Sequence, residues 1–326
     1  MLKDLPGPDE NSAAAVRERA AQVLRPLGAL ARLDEVAAWL ASWQRTDRPK
    51  VAAPAAAIFV ADHGVAERGV SAYPQAVTRG MLDALERGGA TAAVLAREQG
   101  VALEVWDVGV GAPTNDFTVE PALSEDRFEQ CLDWGRDAVA ELDADLLILG
   151  EMGIGNTTAA AAVCATLFGL DAEFWTGRGT GVDDATYARK LAVVETASRR
   201  VPAGTSPLEI LREVGGAEMV AMAGAAVEAR RRSIPIVLDG FVVTAALAPL
   251  EITQPGALAH CISGHCSSEP GHRLLLEKLD LRPLLDLDLR LGEASGALLA
   301  LPLVRLAAAC VTDVATFQEW GLPGRL

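Results

Sequence analysis

The sequence predicts an α/β fold: a Rossmann-like, mostly parallel sheet with helices on both faces, together with a small helical domain. Three observations lead to this prediction. From residue 55 onward, short apolar runs alternate with helical stretches; each apolar run ends near a glycine with polar neighbours; and both ends of the chain carry apolar residues at helical spacing. We therefore expect residues 51–289 to form a large α/β domain, and residues 1–50 with 290–326 to form the small helical domain.

The segment between residues 10 and 45 is rich in alanine, arginine and leucine, with apolar residues three or four positions apart. This spacing predicts two or three amphipathic helices. The tail from about Leu289 to Phe317 is predicted to be helical again, after a loop at its start. Between these ends, five apolar runs predict the strands of the sheet: Ala57–Ala61, Leu103–Asp107, Leu146–Leu149, Ile234–Leu238 and Ala259–Ser263.

A polar, glycine-containing turn follows each predicted strand. In an open α/β sheet, ligands bind beyond the carboxyl ends of the strands, so these five turns are expected to converge on one crevice. The turns are Asp62-His63-Gly64-Val65, Val108-Gly109-Val110-Gly111, Glu151-Met152-Gly153, Asp239-Gly240-Phe241 and Gly264-His265-Cys266-Ser267-Ser268-Glu269.

Two glycine-rich turns, Gly150–Thr158 and Thr176–Asp184, carry the clearest binding signal. Glycines let backbone N–H groups approach a ligand, and the first amides of a helix lack internal partners, so such a turn favours an anion. Neither turn matches the lysine-containing P-loop or the dinucleotide-binding spacing. The predicted ligand is a phosphate-bearing small molecule, and a plain strand-to-helix turn is the alternative.

Composition narrows the class of protein. The 326 residues include 44 acidic and 29 basic side chains, a net charge of −15, which argues against binding to nucleic acid or anionic lipid. The five cysteines are odd in number and scattered, and the N-terminus lacks an apolar signal region, so we expect a cytoplasmic protein. Cys261 and Cys266 flank His265 without a second pair, so no metal site is predicted. Pro302 and Arg305 interrupt the last apolar stretch, so no membrane span is predicted.

Six motifs, in the same order along the chain, resemble the nicotinate-nucleotide:dimethylbenzimidazole phosphoribosyltransferase family. They are Asp62–Val65 with Val70–Thr78, Gly150–Thr158, Gly177–Asp184, Leu238–Phe241, Ser268–His272 and Arg290–Glu293.

The resemblance implies a pentosyltransferase of cobalamin lower-ligand assembly. Its family moves ribose 5-phosphate from nicotinate mononucleotide to 5,6-dimethylbenzimidazole, releasing nicotinate and giving α-ribazole 5′-phosphate with inversion at the anomeric carbon. It also implies a homodimer and no metal or tightly held cofactor. Two departures from the usual family pattern, Ala93 and Ala294-Ser295, bear on which aromatic base is accepted.

The resemblance also implies roles for individual residues. Glu319 matches the catalytic base, with Phe317 as part of its apolar setting, and Glu151 is expected to face the ribose. The expected phosphate and nucleotide ligands are Gly153, Gly155, Asn156, Thr157, Gly177, Arg178, Gly179 and Lys190, and the expected base-binding residues are Ser71, Tyr73, Gln75, Met152 and Phe317.

Each of these roles has a structural alternative. Glu319 and Lys190 can be surface side chains, Glu151 can complement a helix dipole, and Tyr73 can belong to a turn packed on the core. We interpret His63 and His265 as groups that orient the loops rather than as partners of a nucleophile.

Two other functions are compatible with the same turns. One is a hydrolase that cleaves the N-glycosidic bond of a nucleotide with water as the acceptor. The other is a nucleotide-sensing module without turnover. The hydrolase does not need a slot for an aromatic base, and the sensing module does not need a catalytic carboxylate.

Overall fold

A five-stranded parallel sheet forms the centre of the computed structural model, which describes residues 2–179 and 181–324. The strand order is β2-β1-β3-β4-β5, and every neighbouring pair is parallel. The strands are β1 (Pro54–Ala61), β2 (Ala102–Gly109), β3 (Leu146–Met152), β4 (Ile236–Leu238) and β5 (Cys261–Ser263). The predicted fold class and the five predicted strands are therefore confirmed.

Helices surround the sheet and connect its strands. They are α1 (Glu10–Ala20), α2 (Ala31–Gln44), α3 (Val77–Glu86), α4 (Thr91–Glu98), α5 (Glu125–Ala140), α6 (Asn156–Phe168), α7 (Ala172–Trp175), α8 (Asp184–Arg200), α9 (Pro207–Val214), α10 (Ala217–Arg231), α11 (Phe241–Thr253), α12 (Pro270–Lys278) and α13 (Ser295–Thr312), with a 3₁₀ turn at Gly64–Arg68. A short parallel pair, β6 (His265–Cys266) with β7 (Leu285–Asp286), was not predicted, because two residues are too few to show a periodicity.

The two faces of the sheet carry two separate apolar cores. In β1, Ala57, Phe59 and Ala61 belong to the first core, which also contains residues of α5, α6, α10 and α11. Ala56, Ile58 and Val60 belong to the second core, with residues of α1–α4 and α13. This alternation follows from the two-residue period of a strand, and it explains why the predicted strands are nearly continuous apolar runs.

The helices from the two ends of the chain pack together. Helices α1, α2 and α13 contact one another, and an isolated antiparallel bridge joins Val23 to Thr316. Their apolar side chains belong to the same core as one face of the sheet. The division of the chain into two domains remains a prediction.

Helix α13 is the one helix of the described residues that is long and apolar enough to cross a membrane by length and composition. Leu298, Leu301 and Val304 on it are fully buried against α2 and the sheet. Burial inside the protein therefore accounts for its apolar composition.

The strand order determines where a ligand can bind. The chain runs outward from β1 to β2 on one side and then to β3, β4 and β5 on the other, so the order reverses between β1 and β3. In doubly wound sheets the crevice lies at this reversal, beyond the carboxyl ends of the strands.

Candidate active site

A crevice lies at the carboxyl edge of β3, β4 and β5. Its lining comes from the turns after these strands and from the loop before α13: Glu151, Met152, Gly153, Ile154, Asn156, Thr157, Gly179, Gly240, Phe241, Val242, His265, Ser267, Glu269, Arg290, Leu291 and Gly292. Three of the five predicted turns therefore line it.

The first two predicted turns lie behind the crevice instead of lining it. The turn after β1 packs against the turn after β3. Gly153 lies so close to His63 that a Cβ added to it would be 3.1 Å from the histidine ring. The turn after β2 supports the one after β1, because Gly111 N–H donates to Asp62 Oδ2 at 2.8 Å. The expectation that all five turns converge on one crevice is wrong for these two, because neither contributes a residue to its lining.

The first glycine-rich turn ends at the N-terminus of α6. Gly155 has φ +99°, a conformation that side-chain-bearing residues rarely adopt, and no side chain caps the helix. Asn156 and Thr157, in the first turn of α6, both line the crevice. The uncapped end of a helix thus faces the cavity, which is the arrangement that favours an anion.

Lys190 contributes a buried cation beside this helix end. It projects from α8 and is 1% exposed, and its Nζ donates to Thr157 Oγ1 at 2.9 Å. Burial lowers the pKa of Lys190, and the nearby carboxylate of Glu269 opposes that shift. Gly179 lies against the same ammonium group, since a Cβ there would be 3.3 Å from Nζ. The structure therefore brings Lys190, Thr157 and Gly179 together.

Arg178 is directed away from this group. Its guanidinium donates to the carbonyl of Val182 and to Asp184, and it stacks over the ring of Tyr187 at 5.4 Å. The side chain is exposed and lines a neighbouring cavity of about 640 Å³ together with Gly177. Both residues thus lie beside the crevice and not in it.

Glu151 is a buried carboxylate at the end of β3. The side-chain amide of Asn156 donates to its Oε2, and its other oxygen lies against Gly292. Burial raises the pKa of Glu151 well above its usual value, and the nearby carboxylates of Asp239 and Glu218 raise it further. Glu151 therefore holds or accepts a proton far more readily than a surface carboxylate.

Glu293 is a second buried carboxylate at this end of the sheet, and sequence reasoning assigned it no role. It is 4% exposed, follows Gly292 of the crevice lining, and its N–H donates to the carbonyl of Glu151 at 3.1 Å. Burial raises its pKa, and Oε2 has no hydrogen-bond partner among the described residues. The motif Arg290–Glu293, already part of the family resemblance, was the signal that could have identified it.

Glu319 lies elsewhere on the chain. It accepts hydrogen bonds from Arg19 and from Thr316 N–H, beyond the C-terminal end of α13. Because α13 starts at the crevice and has 18 residues, its far end is about 27 Å away. The hydrogen bond from Arg19 lowers the pKa of Glu319 to about 2. The structure does not bring Glu319 into the crevice of its own chain.

Phe317 shares this location, since its N–H donates to the carbonyl of Gln22. Of the expected base-binding residues, Met152 lines the crevice. Ser71, Tyr73 and Gln75 do not line it; they precede α3, and Tyr73 is half exposed.

The segment that carries Ser71, Tyr73 and Gln75 nevertheless lies next to the crevice. Thr78, in the first turn of α3, accepts a hydrogen bond from Ile154 N–H, and Ile154 is part of the lining.

Two of the buried histidines are held in hydrogen-bond networks, and a third, His265, lines the crevice with its Nε2 3.4 Å from Asp239 Oδ1. His63 Nε2 lies 2.8 Å from Glu218 Oε1, with both side chains fully buried. His272 Nδ1 accepts from Ser267 N–H at 2.9 Å, and burial lowers the pKa of His272 to about 3, so its ring is neutral. These contacts fit groups that orient loops. Within residues 2–179 and 181–324, no cluster of three or more histidine, cysteine or acidic side chains is arranged to hold a metal ion.

Comparison with known proteins shows similarity over the whole chain. A family model described as phosphoribosyltransferase matches residues 5–322. The chain is 46% identical to the nicotinate-nucleotide–dimethylbenzimidazole phosphoribosyltransferase of Methylocella silvestris, covering 100% of this chain and 96% of that protein. It is 48% identical to the protein of the same name from Mesorhizobium japonicum, covering 98% and 95%.

Solved structures give the same result. The crystal structure of CobT from Thermus thermophilus is similar with a TM-score of 0.91 and 45% identity, covering 96% of this chain and 99% of that one. These similarities agree with the resemblance that the six sequence motifs indicated.

Proposed function

Because the chain belongs to the nicotinate-nucleotide–dimethylbenzimidazole phosphoribosyltransferase family, we infer that it is a pentosyltransferase acting in the assembly of the cobalamin lower ligand. It transfers ribose 5-phosphate from nicotinate mononucleotide to 5,6-dimethylbenzimidazole. The bond between C1′ and the nicotinate nitrogen breaks, and a bond between C1′ and a benzimidazole nitrogen forms. Nicotinate leaves, and the benzimidazole N–H proton passes to a base.

The observation that carries this proposal is the placement of a buried lysine and two buried carboxylates at one end of the sheet. We assign the 5′-phosphate to the N-terminus of α6, with Lys190 and the amides of Gly153, Gly155, Asn156, Thr157 and Gly179 as its ligands. Lysine and amide donors form charge-assisted hydrogen bonds to a phosphate, about twice as strong as neutral ones. We assign the adjacent turn with Gly177 and Arg178, which lines the neighbouring cavity, to the part of the nucleotide that extends out of the crevice.

We assign the proton transfer to Glu293 and the ribose to Glu151. A general base works best when its pKa is raised toward neutrality, and burial raises the pKa of Glu293. No donor among the described residues occupies its Oε2, while a backbone hydrogen bond from Ala92 opposes the rise in its pKa. Glu151 is already bound by the amide of Asn156, which suits a carboxyl group that hydrogen-bonds a ribose hydroxyl.

Glu319 and Phe317 contribute to catalysis only if they enter the crevice of another chain. We propose a cytoplasmic homodimer without membrane attachment, on the basis of the family resemblance and the acidic composition. In that assembly the exposed carboxyl group of Glu319 is able to face a neighbouring copy. Ser71, Tyr73 and Gln75, beside the crevice, are proposed to complete the slot for the aromatic base with Met152.

Purified protein incubated with nicotinate mononucleotide tests the function directly. With 5,6-dimethylbenzimidazole present, mass spectrometry should detect α-ribazole 5′-phosphate and an equal amount of nicotinate. Nicotinate and free ribose phosphate formed equally fast without the base would indicate a hydrolase. Binding without release of nicotinate under either condition would indicate a sensing module.

A further inference from the structure

A carboxylate lies inside the region that we assign to the substrate phosphate. Glu269 immediately precedes α12, is 8% exposed, and accepts a 2.7 Å hydrogen bond on Oε1 from Gly179 N–H. Gly179 N–H is one of the donors that the phosphate site would use. A negatively charged side chain therefore occupies a position that an anionic substrate requires.

The same carboxylate acts on the cation of the site. Glu269 raises the pKa of Lys190, against the lowering caused by burial, so the two charges interact in the ligand-free protein. Gly179 lies next to both groups, since its N–H donates to Glu269 and a Cβ on it would lie 3.3 Å from Lys190 Nζ. The ammonium group is thus already partly neutralised before any phosphate arrives.

The backbone is shaped around this carboxylate. Gly177 closes over Glu269 Oε2, where a side chain on residue 177 would collide with the carboxylate. Oε2 is buried and has no hydrogen-bond partner in the part of the chain that the structure describes. A buried and unpaired carboxylate oxygen is costly to stability, which indicates that function requires the charge at this point.

Glu269 also lies between two cavities. The crevice beside α6 and the larger cavity beside Arg178 share Gly179, Glu269 and Arg290 as lining residues. A carboxylate that leaves Gly179 has open space on the side of the larger cavity. Arg290, an exposed cation, lines the same boundary.

We propose that Glu269 is an internal counter-ion of the phosphate site, which the phosphate of the substrate has to displace from Gly179 and Lys190. This proposal rests on the phosphate assignment made above. A nucleotide can displace it because the ribose and ring add their own contacts in the crevice. Inorganic phosphate and sulfate have no such contacts, so with Glu269 in place they bind too weakly to occupy the site, whereas the nucleotide still binds.

Substituting Glu269→Gln tests this role without removing the hydrogen bond. The glutamine carbonyl can still accept from Gly179 N–H, while the negative charge beside the phosphate is gone. Isothermal titration calorimetry measures the binding of inorganic phosphate and, separately, of nicotinate mononucleotide. The variant should bind inorganic phosphate at least about tenfold more tightly than the wild type. The nucleotide displaces the same carboxylate, so its affinity should rise by a similar factor.

Glu277→Gln is the matched control, since it removes an exposed charge from the same helix, α12. It should leave both affinities unchanged. Glu269→Ala provides a second test should the glutamine variant fold poorly, and it too should tighten phosphate binding. Unchanged or weaker phosphate binding in the folded variants would overturn the proposal and leave Glu269 as a structural acceptor.

These measurements do not depend on turnover. If the wild type fails to transfer the phosphoribosyl group while Glu269→Gln still binds phosphate more tightly, the proposed reaction is wrong and the counter-ion role stands. If the reaction proceeds but the substitution does not strengthen phosphate binding, the counter-ion role alone is wrong.

Discussion

Three glutamates of this chain have different environments, which the sequence alone does not show. Glu151 and Glu293 are buried near other carboxylates, and burial raises the pKa of both. Glu319 is exposed to solvent, and the hydrogen bond from Arg19 lowers its pKa to about 2. A base with so low a pKa is nearly always ionised but has little tendency to take a proton at neutral pH. The environment therefore favours Glu293 over Glu319 as the base.

We expect Glu293→Gln to lower kcat by about 10²–10⁴, because the amide cannot accept the benzimidazole proton. The dissociation constant of nicotinate mononucleotide should change little. Glu319→Gln, the same chemical change on an exposed side chain, should leave kcat within about twofold. Steady-state kinetics and nucleotide titration of both variants check this.

The opposite pattern of kcat losses in the two variants would change the assignment of the base. A large loss of kcat in Glu319→Gln with normal turnover in Glu293→Gln would return the base to Glu319. In that case a neighbouring chain must supply it, and mixing Glu319→Gln protein with a variant defective at Lys190 should restore part of the activity.

At the scale of elements, the end of β3 and the loop before α13 form one structural unit. Glu293 and Ala294 both have positive φ, +61° and +64°, and Ala294 packs directly on Gly150. Glycine adopts this conformation without strain, whereas a residue with a Cβ rarely does. The alanine here is fully buried, so its methyl group fills space against β3.

We expect Gly150→Ala to displace this loop. A Cβ at residue 150 would lie 2.5 Å from the backbone nitrogen of Ala294, so the chain around Glu293 must shift. Because misplacing a catalytic group by about 1 Å can cost 10²-fold, kcat should fall by about that factor. Gly80→Ala, in α3 with nothing within 4 Å of the added Cβ, is the matched control and should retain full activity.

Kinetics together with thermal unfolding distinguish displacement from unfolding. A folded Gly150→Ala protein with normal kcat would show that this contact does not position Glu293.

At the scale of the whole molecule, the histidines link folding to pH. Burial lowers the pKa of His260 and of His272 to about 3, against about 6.5 in an unfolded chain. Between about pH 3 and pH 6.5, each of these histidines is protonated in the unfolded state and neutral in the folded state. The free energy of unfolding is therefore expected to decrease as the pH falls from about 6.5 toward 3.

His260→Gln tests this linkage. The histidine bonds the carbonyl of Ala226 at 3.0 Å, and a glutamine amide can replace that donor, but it does not titrate. The variant should have a lower free energy of unfolding than the wild type at pH 7.5. This difference should shrink by up to about 1.4 kcal/mol per pH unit below pH 6.5, because only the wild type loses stability through His260. Urea unfolding of both proteins between pH 7.5 and 4.5 measures the difference, in which the other titrating groups cancel. A constant deficit across this range would contradict a neutral buried His260.

Sequence patterns were sufficient for the fold class and for the five strands. Strands β1, β3, β4 and β5 are buried on both faces and appear as continuous apolar runs, whereas the edge strand β2 also contains exposed charged residues. They also located the glycine-rich turn before α6, because its conformation requires glycine. They did not separate the turns that line the crevice from those behind it, since both kinds end in glycine and polar residues.

By itself, the sequence determined the parallel sheet, the family and the glycine-rich turn before the helix end that we assign to the phosphate, because periodicity and glycine positions are local properties. Only the tertiary structure decided which acids are buried, that Lys190 reaches Thr157, that Arg178 points away and that Glu319 lies at the far end of α13. Burial and the distances between charges depend on residues remote in the chain, and these set the pKa values on which the chemistry depends.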